Sequence, residues 1–391
     1  MPARTGAEYL QGLKERPTEV WLGSERIRDV TAHPALRRGA RSIAHLYDMQ
    51  HAPSLRDEMT YVSPTSGERV GRSFITPRSL DDLQQRSRMM MHWARYSGGM
   101  IGRSPDYLNV SLMAMAAADA APFAFAFAIP CDTPGLKFIC REGFDYGHSR
   151  FDHPLGSRFE EMDTVMIFDD VLVPWERVFL KADAFLCNQL FAATNAVVHM
   201  MHQVVVKNVA KAEFLLGVAC LIVDAIGSGE FPHVHEKIAE CIVNLELMKA
   251  CLRAGEADAA IDRWGTMCPA RPPLDVARNV FPKMYARMVE ILQLLSSSGL
   301  MMIPPQTAFD SPIGPDLERY LVVANLNARE RVKLFRLAWD IACSAFGGRQ
   351  VLYERFFFGD PVRMASALYG IYDKQSLMDR VRQFLAREEE D

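Results

Sequence analysis

The chain has 391 residues, of which 49% are hydrophobic and 24% are charged, and its formal net charge is −4. This length allows two or three packed units with a large core. The slightly acidic balance gives no basic surface for nucleic acid, so nucleic acid is not an expected partner. The apolar runs are too short to span a bilayer and the N-terminus lacks a signal-peptide core. These patterns predict a cytoplasmic protein without a membrane segment.

The first 121 residues have mainly helical patterns. We expect one helix to begin with Thr76 as its cap and Pro77 in its first turn. A second helix is expected after the glycine turn at 98–99, with Pro105 near its start. Arg103 and Tyr107 then share one helix face, and a guanidinium beside a phenol suits a small anionic or phenolic ligand. On spacing alone, a capped helix with a surface arginine is the simpler interpretation.

Residues 122–182 have the period-two pattern of strands, and residues 183–391 are helical again. Phe123, Phe125 and Phe127 alternate with alanines and give one aromatic face. Helices are expected over 204–226, over 282–295 with Pro282 in the first turn, and over 328–346. The sequence therefore predicts an α+β fold that is mostly α, with a helical unit at 1–121, a partial β unit at 122–182 and a four-helix bundle at 183–391.

Two polar clusters at predicted helix ends are candidate ligand sites. Gln293, Ser297 and Gly299 form a turn whose N–H groups can hold phosphate oxygens, although serine and glycine also simply end helices. Gly347 and Arg349 combine a close-approach glycine with a cation, and the alternative is a capped helix with a salt-bridged arginine.

Several classes of site are disfavoured. The eight cysteines form no CxxC pair and are expected to be reduced. His199 and His202 share a helix face without a third ligand in register, so no metal site is predicted. The absence of GxGxxG, P-loop and GxSxG motifs disfavours a Rossmann enzyme, an NTPase and an α/β-hydrolase.

Four segments together resemble one enzyme family. They are GRSPDY at 102–107, FAFAFAIP at 123–130, IFDDVLVPWERV at 167–178 and YERFFFGDP at 353–361. The chain resembles the 4-hydroxyphenylacetate 3-monooxygenase family, the oxygenase components of two-component phenol hydroxylases, whose fold is related to that of acyl-CoA dehydrogenases.

The resemblance implies an enzyme that uses FADH₂ and O₂ to hydroxylate a phenol at the ortho carbon. It implies a separate NAD(P)H-flavin reductase and a homotetramer. Arg103 and Tyr107 are expected to be catalytic and, with Met100, to bind the substrate. The residues expected to bind FAD are Gln293, Ser297, Gly299, Gly347 and Arg349. Lys207 and Lys211 are a further cationic face that could meet the FAD pyrophosphate of a neighbouring subunit.

Three alternatives remain open. The first is the 4-hydroxybutyryl-CoA dehydratase branch, which needs Cys and His ligands for an iron–sulfur cluster, and segment 98–109 contains neither residue. The second is an acyl-CoA dehydrogenase-like flavoprotein, for which no catalytic carboxylate is evident. The third is a non-catalytic assembly subunit, which would not bind reduced flavin.

One departure from the family is large. Members carry much of a β domain between the N-terminal helices and the FAFAFAIP strand, whereas residues 115–122 join the two directly here. The absent part would include a histidine that contacts the phenol. We expect the natural protein to contain these residues, in which case its intact mass is well above 44.0 kDa. A genuine deletion is expected to leave an inactive or altered protein.

Overall fold

A computed structural model describes residues 2–16, 18–117, 127–179, 184–357 and 359–387. The helices are α1 (Gly6–Glu15), α2 (Arg37–Met49), α3 (Arg56–Met59), α4 (Leu80–Tyr96), α5 (Asp106–Ala117), α6 (Gly156–Phe159), α7 (Ala184–Ala193), α8 (Ala196–Ile226), α9 (Pro232–Ala257), α10 (Arg271–Ser296), α11 (Gln306–Phe309), α12 (Gly314–Tyr320), α13 (Ala328–Ala342), α14 (Ala345–Phe356), α15 (Pro361–Ile371) and α16 (Gln375–Arg387). The strands are β1 (Glu19–Leu22), β2 (Glu25–Ile27), β3 (Thr60–Val62), β4 (Arg69–Gly71), β5 (Leu136–Cys140), β6 (Thr164–Phe168), β7 (Ala260–Ile261) and β8 (Met267–Cys268).

Helix α4 begins one turn later than predicted. Ser79, not Thr76, is its cap: the Ser79 hydroxyl accepts from the Asp82 N–H, and the Asp82 carboxylate accepts from the Ser79 N–H. This reciprocal capping box satisfies two N–H groups that the helix leaves unpaired, which explains why the start moves to Ser79.

The main sheet has the strand order β2-β1-β5-β6. β1 runs parallel to β5, while β2 and β6 are antiparallel to their neighbours. Residues from the predicted N-terminal helical unit therefore complete the sheet of the β unit. All five residues of β6 are exposed. Phe127 pairs with Val178 and its ring packs edge-on against Phe168 at 5.8 Å, whereas Phe123 and Phe125 lie outside the described residues.

The core lies among α8, α9, α10 and α13. Twenty residues of α8 are buried, because helices pack on it from several sides. Pro282 lies inside α10, which begins at Arg271, so the prediction of a first-turn proline was wrong. The predicted helix over 328–346 divides into α13 and α14, since Ser344 caps a new helix.

The C-terminal arm, defined as α15 and α16, is amphipathic and largely uncovered. No residue of α15 is buried. Large apolar side chains exposed along the arm are Val362, Tyr369, Ile371, Leu377, Val381 and Phe384. Among the described residues, no helix is both long enough and apolar enough to cross a membrane.

Candidate active site

The turn that carries Arg103 lies directly on helix α8. Gly98 and Gly99 have positive φ angles of 58° and 72°. A Cβ atom on Gly99 would lie 2.6 Å from the Lys211 Cβ, so only glycine allows this approach. The Arg103 N–H then donates to Glu161 Oε1 at 2.8 Å. The turn is thus fixed between α8 and the segment that precedes β6.

Arg103 and Tyr107 meet in one cavity, although not on one helix face. Arg103 precedes α5, whose first residue is Asp106, so the prediction of a shared helix face was wrong. The two residues nevertheless line a cavity of about 380 Å³, here called the Arg103 cavity. Its lining is Arg103, Ser104, Pro105, Tyr107, Leu108 and Phe357.

Two aromatic rings lie beside the Arg103 guanidinium. Its central carbon lies 5.7 Å from the ring centroid of Tyr353 and 5.6 Å from that of Phe357. In the described part of the chain it makes no ion pair with a carboxylate. Burial raises the pKa of the Tyr107 hydroxyl, and the nearby Arg103 charge partly offsets that increase. Tyr107 is therefore a neutral hydrogen-bonding group beside a cation.

Asp106, the first residue of α5, holds the start of this helix in place through two hydrogen bonds. Its carboxylate is buried and accepts from the Ser104 hydroxyl at 2.5 Å and from Gln203 Nε2 at 3.2 Å. Burial raises the pKa of Asp106, while these two hydrogen bonds lower it. The carboxylate thus connects the Arg103 turn to α8.

A buried charge network, defined as Lys207, Lys211, Gln350 and Glu354, connects α8 to α14. Both lysine Nζ atoms lie 2.6 Å from Glu354 Oε1, and Lys211 also donates to Gln350 Oε1 at 2.8 Å. Gln350 Nε2 in turn donates to the Met100 carbonyl at 3.0 Å. The lysines therefore lie inside the chain and do not face a neighbouring subunit, which corrects the expectation for this pair.

Two ammonium groups share one carboxylate in this network. Burial lowers the pKa of Lys211 to about 8, and Glu354 opposes that decrease. Burial raises the pKa of Glu354, but the two lysines outweigh it and the net shift is downward. Glu354 was not predicted from the sequence, because its partners lie 147 and 143 residues away. Two lysines in an apolar helix were the only local signal.

Arg349 and Gly347 have contacts within the protein. Arg349 donates to both Asp163 oxygens at 2.9 and 2.8 Å and to Glu161 at 3.1 Å. Burial raises the pKa of Asp163, but hydrogen bonds from Arg349 and Arg141 outweigh it and lower the pKa to about 2. Gly347 packs on α13, where an added Cβ would lie 2.3 Å from the Ile341 carbonyl oxygen. A flavin contact by either residue stays a prediction.

The other predicted flavin residues lie near α13. Gln293 Nε2 donates to the Ala342 carbonyl at 2.7 Å, and the backbone of Ser297 has a φ of 49°. A Cβ on Gly299 would lie 2.5 Å from the Phe335 ring. Met100 is fully buried in the main core. Arg103 and Tyr107 thus line one cavity, and Arg103 and Arg349 both donate to Glu161. The Gln293 turn lies apart from them, at the end of α13.

Family models match nearly the whole chain. The model described as "4-hydroxyphenylacetate 3-hydroxylase C terminal" matches residues 187–386, and the one described as "4-hydroxyphenylacetate 3-hydroxylase N terminal" matches residues 5–121 and 117–180. This chain belongs to the 4-hydroxyphenylacetate 3-hydroxylase family.

Named relatives match nearly the full chain. It is 42% identical to the 4-hydroxyphenylacetate 3-monooxygenase oxygenase component of Geobacillus sp. (strain PA-9), over 98% of this chain and 97% of the relative. The corresponding protein of Thermus thermophilus is also 42% identical, with the same coverage of both chains.

Solved structures of the family have the same fold as this chain. A crystal structure of the oxygenase component complexed with FAD and 4-hydroxyphenylacetate matches with a TM-score of 0.96, 41% identity and 99% coverage of both chains. An archaeal 4-hydroxybutyryl-CoA dehydratase matches with a TM-score of 0.86 at 15% identity, covering 98% of this chain and 95% of that one, which shows a common fold alone.

These comparisons confirm several predictions. The family, the mostly α fold of the acyl-CoA dehydrogenase type, the FAD cofactor and the role of monooxygenase oxygenase component are as the sequence indicated. The relative also carries residues that this chain lacks, because the Geobacillus alignment is 480 positions long and this chain has 391 residues. The two N-terminal matches meet at 117–121, where the join was expected.

Proposed function

We propose that this chain hydroxylates a phenol bearing an acidic group, of the 4-hydroxyphenylacetate class, in the Arg103 cavity. One observation carries the proposal. In the described part of the chain the Arg103 guanidinium has no carboxylate partner, whereas the neighbouring cations Lys207, Lys211 and Arg349 each have at least one. A cation that lines a cavity of small-molecule size and has no carboxylate partner can bind an anionic group. The relatives named above support the substrate class.

Tyr107 supplies the second polar contact. A neutral phenol both donates and accepts a hydrogen bond, so Tyr107 can hold the substrate hydroxyl whether it is protonated or ionised. Arg103 stabilises negative charge on the substrate, and more strongly when the site is dry. Together the two side chains orient the aromatic ring so that one carbon beside its hydroxyl is presented for oxygen transfer.

The turn at Ser297 fits part of a flavin dinucleotide. Gln293 and Ser297 are exposed, and the Ser296 hydroxyl is buried without a hydrogen-bond partner among the described residues. Backbone strain of the kind seen at Ser297 is concentrated at ligand sites. We propose that Gln293, Ser297 and the Gly299 turn hold FAD. Reduced flavin, when bound, supplies the electrons with which O₂ is activated for transfer to the phenol.

We also propose the partners and setting that the family implies: a separate NAD(P)H-flavin reductase, a homotetramer and a cytoplasmic location. The exposed apolar side chains of the C-terminal arm support assembly, because clusters of exposed apolar side chains often mark an interaction surface. Sedimentation of the purified protein at four times the chain mass of 44.0 kDa is the expected result.

The function is tested by supplying reduced FAD and oxygenated buffer to the purified protein with a panel of phenols. 4-Hydroxyphenylacetate, 4-ethylphenol and phenylacetate separate the need for an acid from the need for a phenol. We expect a catechol from 4-hydroxyphenylacetate and slower turnover of the neutral phenol. If every compound yields only H₂O₂ and oxidised flavin, the proposed function is wrong.

A further inference from the structure

Phe357 is the middle ring of three neighbouring aromatic side chains. Its ring centroid lies 5.3 Å from that of Tyr107 and 4.7 Å from that of Tyr353. The Arg103 guanidinium lies 5.6 Å from the same ring. Phe357 directly follows the last residue of α14, which the buried charge network fixes to α8. The ring is therefore held in place by a rigid helix and by its aromatic neighbours.

Cavities lie on both sides of this ring. The Arg103 cavity, on the Tyr107 side, measures about 380 Å³, and a second cavity, on the Tyr353 side, measures about 690 Å³. Among the described residues, Arg103 and Phe357 are the two that line both cavities. Arg103 is a long, exposed side chain, whereas the phenyl group is rigid and fixed. The Phe357 ring is thus the partition between the two spaces.

The partition has a consequence for substrate size. With the ring in place, a phenol that contacts Arg103 and Tyr107 meets Phe357 before it reaches the larger cavity. We propose that Phe357 is a specificity-determining residue that limits the substrate to one aromatic ring. This inference rests on the proposed function, since it assumes that the phenol binds in the Arg103 cavity.

A purely supporting role for Phe357 predicts a different result. If the ring only steadies Arg103, its removal weakens the binding of all acidic phenols by the same factor. If the ring is a boundary, its removal joins the cavities and changes the ratio of the dissociation constants for large and small phenols. The ratio therefore separates the two roles.

The experiment measures binding calorimetrically, without flavin, for two ligands of the same charge. One is 4-hydroxyphenylacetate and the other is its two-ring analogue, 4′-hydroxybiphenyl-4-acetate. The variants are Phe357→Ala and Phe357→Leu. Phe356→Ala is the matched control, because Phe356 is a neighbouring phenylalanine that lines the second cavity but not the Arg103 cavity.

We expect Phe357→Ala to strengthen binding of the two-ring ligand relative to the one-ring ligand by about tenfold or more in the ratio of dissociation constants. This is the scale of discrimination that a hydrophobic pocket wall achieves. The ratio for Phe357→Leu should lie between those of wild type and Phe357→Ala, and this variant supplies the test if Phe357→Ala fails to fold. An unchanged ratio in the Phe357 variants, or an equal change in Phe356→Ala, would overturn the inference. So would a wild type that binds neither ligand. Catechol formation by wild type, measured separately, tests the proposed function itself.

Discussion

Lys211 Nζ lies 2.6 Å from Glu354 Oε1 in a region where both side chains are excluded from solvent. Lys207 bonds the same oxygen at the same distance. One carboxylate therefore compensates two buried cations, and Lys207 Nζ also lies 5.1 Å from the ring centroid of Tyr353 and 5.9 Å from that of Phe357. The network holds α14 against α8, so it determines where Tyr353 and Phe357 lie.

Replacing Glu354 with glutamine should destabilise the chain strongly. The variant keeps the side-chain shape but leaves two buried ammonium groups without a counter-charge, which costs about 3–5 kcal/mol. The free energy of unfolding in urea measures this loss. Glu318→Gln, which breaks an exposed pair with Arg329, is the control and should cost less than about 1 kcal/mol. Equal losses in the two variants would contradict a buried network.

Lys211 should make stability depend on alkaline pH. Its pKa is about 8 in the folded chain and 10.5 ordinarily, so between these values the unfolded chain binds more protons and stability rises with pH. Below pH 8 the cost of the buried charge is complete. The free energy of unfolding of wild type should therefore rise relative to that of Lys211→Met as pH rises through this window.

Urea titrations across that pH range measure the effect, and Lys249→Met corrects for the loss of an exposed lysine. A difference between wild type and Lys211→Met that stays constant with pH would show that Lys211 is not titrating as the buried network requires.

Two adjacent glycines of α14 should respond in opposite directions to alanine. A Cβ on Gly347 would meet backbone atoms of Asp340 and Ile341, whereas one on Gly348 meets nothing within 4 Å. Gly347→Ala is expected to cost about 1–3 kcal/mol because backbone must shift. Gly348→Ala should stabilise by up to about 1 kcal/mol, since alanine favours a helix. The thermal unfolding midpoints of the two variants measure these changes in stability. Equal shifts of the midpoint would mean that Gly347 is not needed for packing.

Arg103 and Tyr107 should control the coupling of flavin oxidation to hydroxylation. We expect Arg103→Ala to lower catechol formation by about 10²-fold and Tyr107→Phe by about tenfold or more, with H₂O₂ released instead. Catechol and peroxide are measured at equal flavin occupancy. Arg95→Ala, which removes an arginine paired with Glu213, is the control. Wild-type hydroxylation by both site variants would refute their assignment.

The natural protein should be larger than this sequence. The residues that the 480-position Geobacillus alignment contains beyond this 391-residue chain are expected to be present in it. The intact mass of protein purified from its source measures this directly. A mass matching 44.0 kDa would mean a true deletion, and activity should then be absent or altered.

The family and its chemistry were predictable from the sequence because they depend on short local motifs. GRSPDY at 102–107 and YERFFFGDP at 353–361 carried the resemblance without any knowledge of packing. Helix existence was equally predictable from apolar spacing, as α8 shows. Helix starts were not, since Ser79 and Thr76 both have capping chemistry and only the reciprocal bond to Asp82 selects Ser79.

The local pattern of this chain by itself predicted its mostly helical structure, and short motifs that resemble one family implied a flavoprotein monooxygenase, with Arg103 and Tyr107 as the expected site residues. Only the tertiary structure decided which cations are free and which are paired. Glu354 reaches Lys207 across 147 residues, and Arg349 reaches Asp163 across 186. Such pairs depend on how distant helices pack, and no spacing along the chain encodes that. For the same reason, the partition formed by Phe357 emerges only when α14 is placed beside α5.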